Sequence, residues 1–200
     1  PDNVQADRII SIASDHRAYD RYVPIHFYKS DFTYIHDDDM LPGKNAIEHL
    51  LNVYRQLEKP GVLGQFGKIL PFKKKPYKMC KSYVVKQIDR PVVVDLIIRG
   101  FFVETKNLVH LAAMASQIGP IHSREDDLTL CCGMSLYGGL KNYVAPLSED
   151  PEKSICIQEL DDSNALCRRK DHLSHRTGAL REIYRLGWKR QQEYCNIPLL

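Results

Sequence analysis

An α/β layered fold is predicted by three features of the sequence: short apolar runs rich in β-branched residues, segments of helical spacing that alternate with them, and breaks bearing Gly or Pro between the two. Residues 8–14, RIISIAS, read as a first buried strand, and residues 31–36, DFTYIH, as a second. Leu41-Pro42-Gly43 then breaks the chain. KNAIEHLLNVYRQLEK follows, with Ile47, Leu50, Leu51, Tyr54 and Leu57 on one helical stripe. GVLGQFGKIL, residues 61–70, is a strand punctuated by glycines, and a loop of prolines and lysines comes after it. PVVVDLIIRGFFV, residues 91–103, is strand interrupted by Gly100, and NLVHLAAMASQI, residues 107–118, is a buried helix. REDDLTLCCGMSLYGG predicts a helix that begins near its acidic residues and ends at Gly138-Gly139. NYVAPL is the next strand, and residues 172–195 form a helical tail interrupted at Gly187. No repeat or low-complexity tract is present.

With 200 residues, 44% hydrophobic and 26% charged, the chain suits one globular domain with a full core. The net charge of +3 is too small for a phosphate-tracking surface, which sets nucleic acid aside as a partner. No apolar run is long enough for a transmembrane helix, and the opening PDNVQADR has no signal-peptide core. The chain begins on Pro rather than Met, which leaves an upstream segment open. Six cysteines include no CxxC pair, so a structural zinc is not expected; the adjacent Cys131 and Cys132 read as small buried residues.

Asp37, Asp38 and Asp39 stand side by side at the end of the DFTYIH run. Three adjacent carboxylates repel and raise one another's pKa unless water or a cation offsets them. They are either a solvated turn with a helix N-cap or a site for Mn²⁺ or Mg²⁺, whose oxygen preference suits carboxylates and phosphates. The carboxyl end of a strand in an open α/β sheet is where ligands of that kind bind. A second cluster, Glu125-Asp126-Asp127, precedes a helix; alone it reads as capping, but beside the first it can face an acceptor while the first holds a metal diphosphate.

The ordered set of apolar strand, DDD, helix, RGFFV segment, EDD before a helix and late HxxxR helix resembles the GT-A nucleotide-sugar glycosyltransferases. It is most like the exostosin-like family, glycosyltransferase family 64, with family 2 next, over residues 8 to 188. The resemblance implies a mixed, mostly parallel central sheet flanked by helices, as one GT-A domain over residues 1–200. It implies that Asp39 binds Mn²⁺ (or Mg²⁺) with the donor diphosphate and that Asp37 lies near the ribose, with Asp38 between them on the donor side. Arg21 would contact the nucleotide, with His16 or Arg17 as helpers, although a surface ion pair is the plain alternative for Arg21. Glu125-Asp126 matches the family's Glu-Asp pair, which gives Asp126 the place facing sugar and acceptor, with Asp127 as the near alternative. RGFFVETKNL would run past the sugar, Gly100 allowing close backbone approach; Phe101 and Phe102 are either part of that face or core. Arg176 would neutralise the leaving diphosphate through its guanidinium fork, helped by His172 one turn earlier.

Two departures qualify the resemblance. The family's disulfide would fall near Arg124 and Gly178, neither of which is Cys, so a cytoplasmic setting is favoured slightly over a secretory lumen and the compartment stays open. The triplet begins at residue 37, so part of the nucleotide-binding half is expected to be missing or reduced. The expected activity is metal-dependent transfer of a sugar from a nucleoside-diphosphate donor, UDP in the first instance, to a glycan or glycoprotein hydroxyl. The alternatives are a non-catalytic carbohydrate- or partner-binding module on the same scaffold, and a metal-dependent phosphohydrolase. The run KKKPYKMCK is a solvated loop or a flap that meets an acidic acceptor, a phospholipid surface or donor phosphates.

Overall fold

The computed structural model describes residues 18–22, 29–37, 40–72, 76–83, 89–119, 124–146, 148, 150–157 and 169–191. The expected strand at residues 8–14, together with His16, Arg17, Asp38, Asp39 and Lys73 to Lys75, lies outside the described residues.

The DFTYIH run forms β1, Phe32–His36, and a short β2, Met40–Pro42, lies just beyond the acidic triplet. Helix α1, Ala46–Tyr54, buries Ala46, Leu50 and Tyr54 at four-residue spacing, which is one helical face. The glycine-punctuated run splits into β3, Pro60–Gly64, and β4, Gly67–Ile69. Strand β5, Lys81–Tyr83, precedes a run expected as one strand that folds as three pieces: β6, Val92–Val94; β7, Leu96–Ile97; and β8, Gly100–Glu104. The breaks fall at Asp95, which is buried and accepts from the Leu70 and Gln191 backbone N–H groups, and at Arg99, whose φ is +72°.

Helices α2, Val109–Ile118, and α3, Asp126–Gly138, pack closely together. A Cβ at Gly133 would stand 2.5 Å from the His110 carbonyl oxygen, so the absence of a side chain there sets how near the two helices come. Helix α3 is buried at every one of its first nine residues except Asp127, Cys131 and Cys132 included, and it ends on Gly139 at φ +60°. Strands β9, Lys141–Val144, and β10, Ile155–Ile157, precede α4, His172–Arg185, which buries Arg176, Ala179, Leu180, Ile183 and Tyr184.

The main sheet runs β1-β8-β3-β9-β6, with a three-stranded sheet β5-β4-β7 and a two-stranded pair β10-β2 beside it. Alternation along the strands separates two core layers. Phe101 and Val103 of β8 join the cluster under α2, α3 and α4, while Phe102 points to the opposite face, where Leu50 and Tyr54 of α1 meet Phe32 and Tyr143. Phe102 stacks on Phe32 at 5.3 Å and meets Tyr54 edge-on at 5.6 Å.

The molecule is therefore mixed α/β with helices flanking a mixed sheet, but that sheet is mostly antiparallel, not mostly parallel. In the main sheet only β3 and β9 run parallel, while β1 with β8, β8 with β3 and β9 with β6 are antiparallel. The reason lies in the connections. A parallel pair needs a crossover, usually helical, and α2 and α3 supply one between β3 and β9. Between β3 and β8 the described elements are short strands and one 3-10 turn, so the chain returns reversed. The apolar GFFV run resembles a parallel strand because helices cover both its faces, and burial on two faces does not encode direction. No helix among the described residues is long and apolar enough to cross a membrane.

Candidate functional site

The chemistry-bearing residues meet around the N-terminus of α3. Asp37 leaves the end of β1, and its N–H donates to the Arg99 carbonyl at 2.8 Å, continuing the ladder in which His36 faces Gly100. A 3-10 turn at residues 18–22 brings in Arg21 and Tyr22. The Arg21 Nη1 donates to Asp37 Oδ1 at 2.8 Å, and its Nε lies 3.4 Å from Asp126 Oδ2. The Tyr22 hydroxyl donates to the same Asp126 oxygen at 3.0 Å. Tyr19, on the same turn, holds Thr129 of α3 through a 2.9 Å hydroxyl contact.

Arg176 forms a second group. Its Nη1 donates to Glu125 Oε2 at 2.9 Å and its Nη2 to Asp127 Oδ2 at 2.8 Å, while the guanidinium carbon sits 4.3 Å from the Tyr77 ring centroid. Glu125 occupies the N-cap position of α3 without making a side-chain cap bond. Its carboxylate serves Arg176, so the capping interpretation does not describe what this residue does. Asp127 divides its oxygens, with Oδ1 accepting the Leu128 N–H at 2.7 Å.

Electrostatics follow from burial. Desolvation raises the Glu125 pKa to about 7 against the pull of Arg176, and desolvation likewise raises Asp126, opposed by Arg21 and by the Tyr22 hydrogen bond. Burial, with the neighbouring Asp126, keeps Tyr22 neutral by raising it well above its ordinary value. Burial works against the Arg176 charge, but Asp127 and the other surrounding groups overcome it and raise its pKa. His172 is half-buried and shifted down, first by burial and then by Arg176.

Of the residues singled out in the sequence, Arg21, Asp37 and Asp126 are directly linked, and Glu125, Asp127 and Arg176 are directly linked beside them. His172 lies one turn before Arg176 on α4. Gly100 is buried next to the Asp37 junction, whereas Phe101 is 2% exposed and packs within the core. Asp38, Asp39 and His16 lie outside the described residues. Where the resemblance has the Arg176 fork facing a diphosphate, the structure has both terminal nitrogens on carboxylates, and among the described residues its buried Nε–H has no partner.

Tyr22, Tyr77, Lys68 and Arg99 were not singled out individually. The YDRY run, with its two tyrosines around Arg21, carried a signal for Tyr22, and the PYK of the lysine-rich loop carried one for Tyr77. Among the described residues, no group of three or more His, Cys, Asp or Glu side chains is arranged to hold a metal. No family model matches the chain, and comparison with curated proteins gives no match.

Proposed function

We propose that the chain is a metal-dependent glycosyltransferase of GT-A type that moves a sugar from a nucleoside-diphosphate donor, in the first instance a UDP-sugar, to a hydroxyl of a glycan or glycoprotein. The observation that carries this reading is the Arg21 guanidinium, which joins Asp37 of the first acidic turn to Asp126 of the second. The two clusters, 89 positions apart from Asp37 to Asp126, belong to one locus.

The fit of a divalent cation turns on the triplet. Each arginine lies between two carboxylates, so each trio retains one net negative charge when ionised, an environment that favours a cation. Asp37 itself is engaged with Arg21, so Asp39, with Asp38 beside it, would hold Mn²⁺ or Mg²⁺. Bound there, the ion would supply positive charge to the leaving diphosphate. Arg21 orients Asp37. Asp126 has its Oδ2 fixed by Tyr22 and Arg21, and it directs its function through the remaining oxygen, either accepting the proton of the acceptor hydroxyl or steadying positive charge on the sugar. The first role goes with inversion and the second is compatible with retention.

The test is a screen of nucleotide-sugars with and without Mn²⁺, reading nucleotide release, inorganic phosphate and glycosylated product. Asp39→Ala should abolish metal-dependent turnover in a folded protein, and unchanged turnover removes the metal assignment. Asp126→Asn should lower turnover about a hundredfold or more with little change in donor affinity; the reverse pattern counts against its place at the reacting centre. The locked fork of Arg176 favours a second reading, a carbohydrate-binding module on this scaffold. Calorimetry with UDP and Mn²⁺ separates the two, since the module predicts no nucleotide binding.

A further inference from the structure

Two cationic groups beside the acidic cluster, Lys68 and Arg99, make no ion pair among the described residues, and Arg176, though paired with Glu125 and Asp127, keeps one donor unused. Lys68 of β4 is half-buried, its ammonium 5.4 Å from the centroid of the same Tyr77 ring that Arg176 approaches at 4.3 Å. Among the described residues, no carboxylate lies within ion-pair distance of it. Arg99 stands with its guanidinium 5.6 Å from the Phe66 ring centroid, and Phe66 is two residues before Lys68. Among the described residues, the Arg99 Nη1 and the Arg176 Nε are both buried without a hydrogen-bond partner. Arg176 as a whole is 6% exposed.

Burying like charges near one another and leaving N–H donors unsatisfied destabilises a fold, so such a group is held for a purpose outside the folded chain itself. The missing partner must be an acceptor of several hydrogen bonds that carries negative charge. We propose that Lys68, Arg99 and the Nε–H of Arg176 form an oxyanion subsite for a phosphate or carboxylate carried by one of the substrates. The position suits both sources. The Arg99 carbonyl receives the Asp37 N–H at the start of the acidic triplet, and Arg176 holds Glu125 and Asp127 at the second cluster. Guanidinium and ammonium donors together fit the spread of oxygens on a diphosphate or an acidic sugar. The nearby His172 and Asp127 face the same cations, and burial with Arg176 beside it already lowers the Lys68 pKa, a penalty that a bound anion reverses.

Only the assignment of the anion to donor or acceptor rests on the glycosyltransferase reading. The test is calorimetric titration of the whole chain in metal-free buffer with inorganic pyrophosphate and, separately, with glucuronate. At least one should bind, and Lys68→Met should weaken that binding about ten- to a hundredfold. Arg99→Gly, which removes the guanidinium and accepts the +72° φ, should weaken it as well. Lys68→Met should melt no lower than wild type, because burial beside Arg176 costs the ammonium more than Asp127 returns; Lys68→Gln serves if the Met variant does not fold. Pyrophosphate binding assigns the subsite to the donor side, and glucuronate binding to an acidic acceptor. Failure of both anions to bind wild type, or wild-type affinity in the Lys68 and Arg99 variants, overturns the subsite. Because no sugar transfer is read, a failed nucleotide-sugar screen leaves the subsite standing, and successful transfer without anion binding removes the subsite alone.

Discussion

Two arginines in this molecule do the same thing under opposite conditions. Arg21 bridges Asp37 and Asp126 with its own side chain 31% exposed and that of Asp37 34% exposed. Arg176 bridges Glu125 and Asp127 with its side chain 7% exposed and that of Glu125 3% exposed. The chemistry is shared, yet solvent reaches the Arg21–Asp37 half of the first trio, with only Asp126 buried, whereas all three side chains of the second are at most 13% exposed. The buried trio is therefore read as a clasp that locks α4 onto the start of α3. The open trio is read as a working surface whose bonds can be exchanged for those of a ligand.

The comparison can be broken most directly at Arg176. Arg176→Met removes one partner of a buried network and leaves two carboxylates uncompensated, so it should cost about 3–5 kcal/mol of unfolding free energy, measured by urea denaturation. A loss near zero would show that the clasp contributes nothing to stability.

A pH titration of stability should produce the next largest effect. Glu125 binds its proton more tightly folded than unfolded, so its contribution to stability is fully present below its ordinary value near 4.5 and is lost as pH rises towards about 7. Asp126 shifts in the same direction. Stability should fall by about 1–3 kcal/mol across that window, and Glu125→Gln should flatten the slope. A rise in stability over the same interval would contradict the burial argument.

Smaller effects come from the open side. Tyr22→Phe removes the buried hydroxyl that donates to Asp126 and should cost about 1 kcal/mol in thermal or urea unfolding. If Asp126 is the base in turnover, the acid limb of the pH–rate profile should also move to higher pH, because that hydrogen bond favours the ionised form. Arg21→Met should cost about 1 kcal/mol, well below Arg176→Met, since water reaches Asp37 and the buried Asp126 it also leaves behind can take up a proton. A cost equal to that of Arg176→Met would erase the distinction between clasp and working surface.

How much of this was legible beforehand depended on how far apart the interacting residues are. Helix α1 was readable because Leu50 and Tyr54 repeat locally, and the end of α3 because Gly138-Gly139 sits next to it. The direction of the strands was not, since β8 between β1 and β3 is a matter of connection rather than of residue pattern. At the site, the residue types in both acidic turns and in the HxxxR helix were visible. What Arg176 does with its fork was not, because Glu125 lies 51 residues before it and no local signal says that a carboxylate will take a guanidinium's place. The ring that Arg176 and Lys68 share was hidden for the same reason: Tyr77 lay in a stretch that reads by composition as solvated loop, yet it is 4% exposed.

Strand β8 sends Phe101 into one helical layer and Phe102 into the other. Sliding it by a single residue would exchange the two rings between cavities shaped for different partners, a change that no small adjustment could accommodate. The strand consequently behaves as a ratchet tooth caught from both sides. Because Arg99 and its grip on the Asp37 backbone sit at the tip of that tooth, the acid-bearing end of β1 inherits its position from two cores at once, and a packing defect in either layer should be felt where the carboxylates meet.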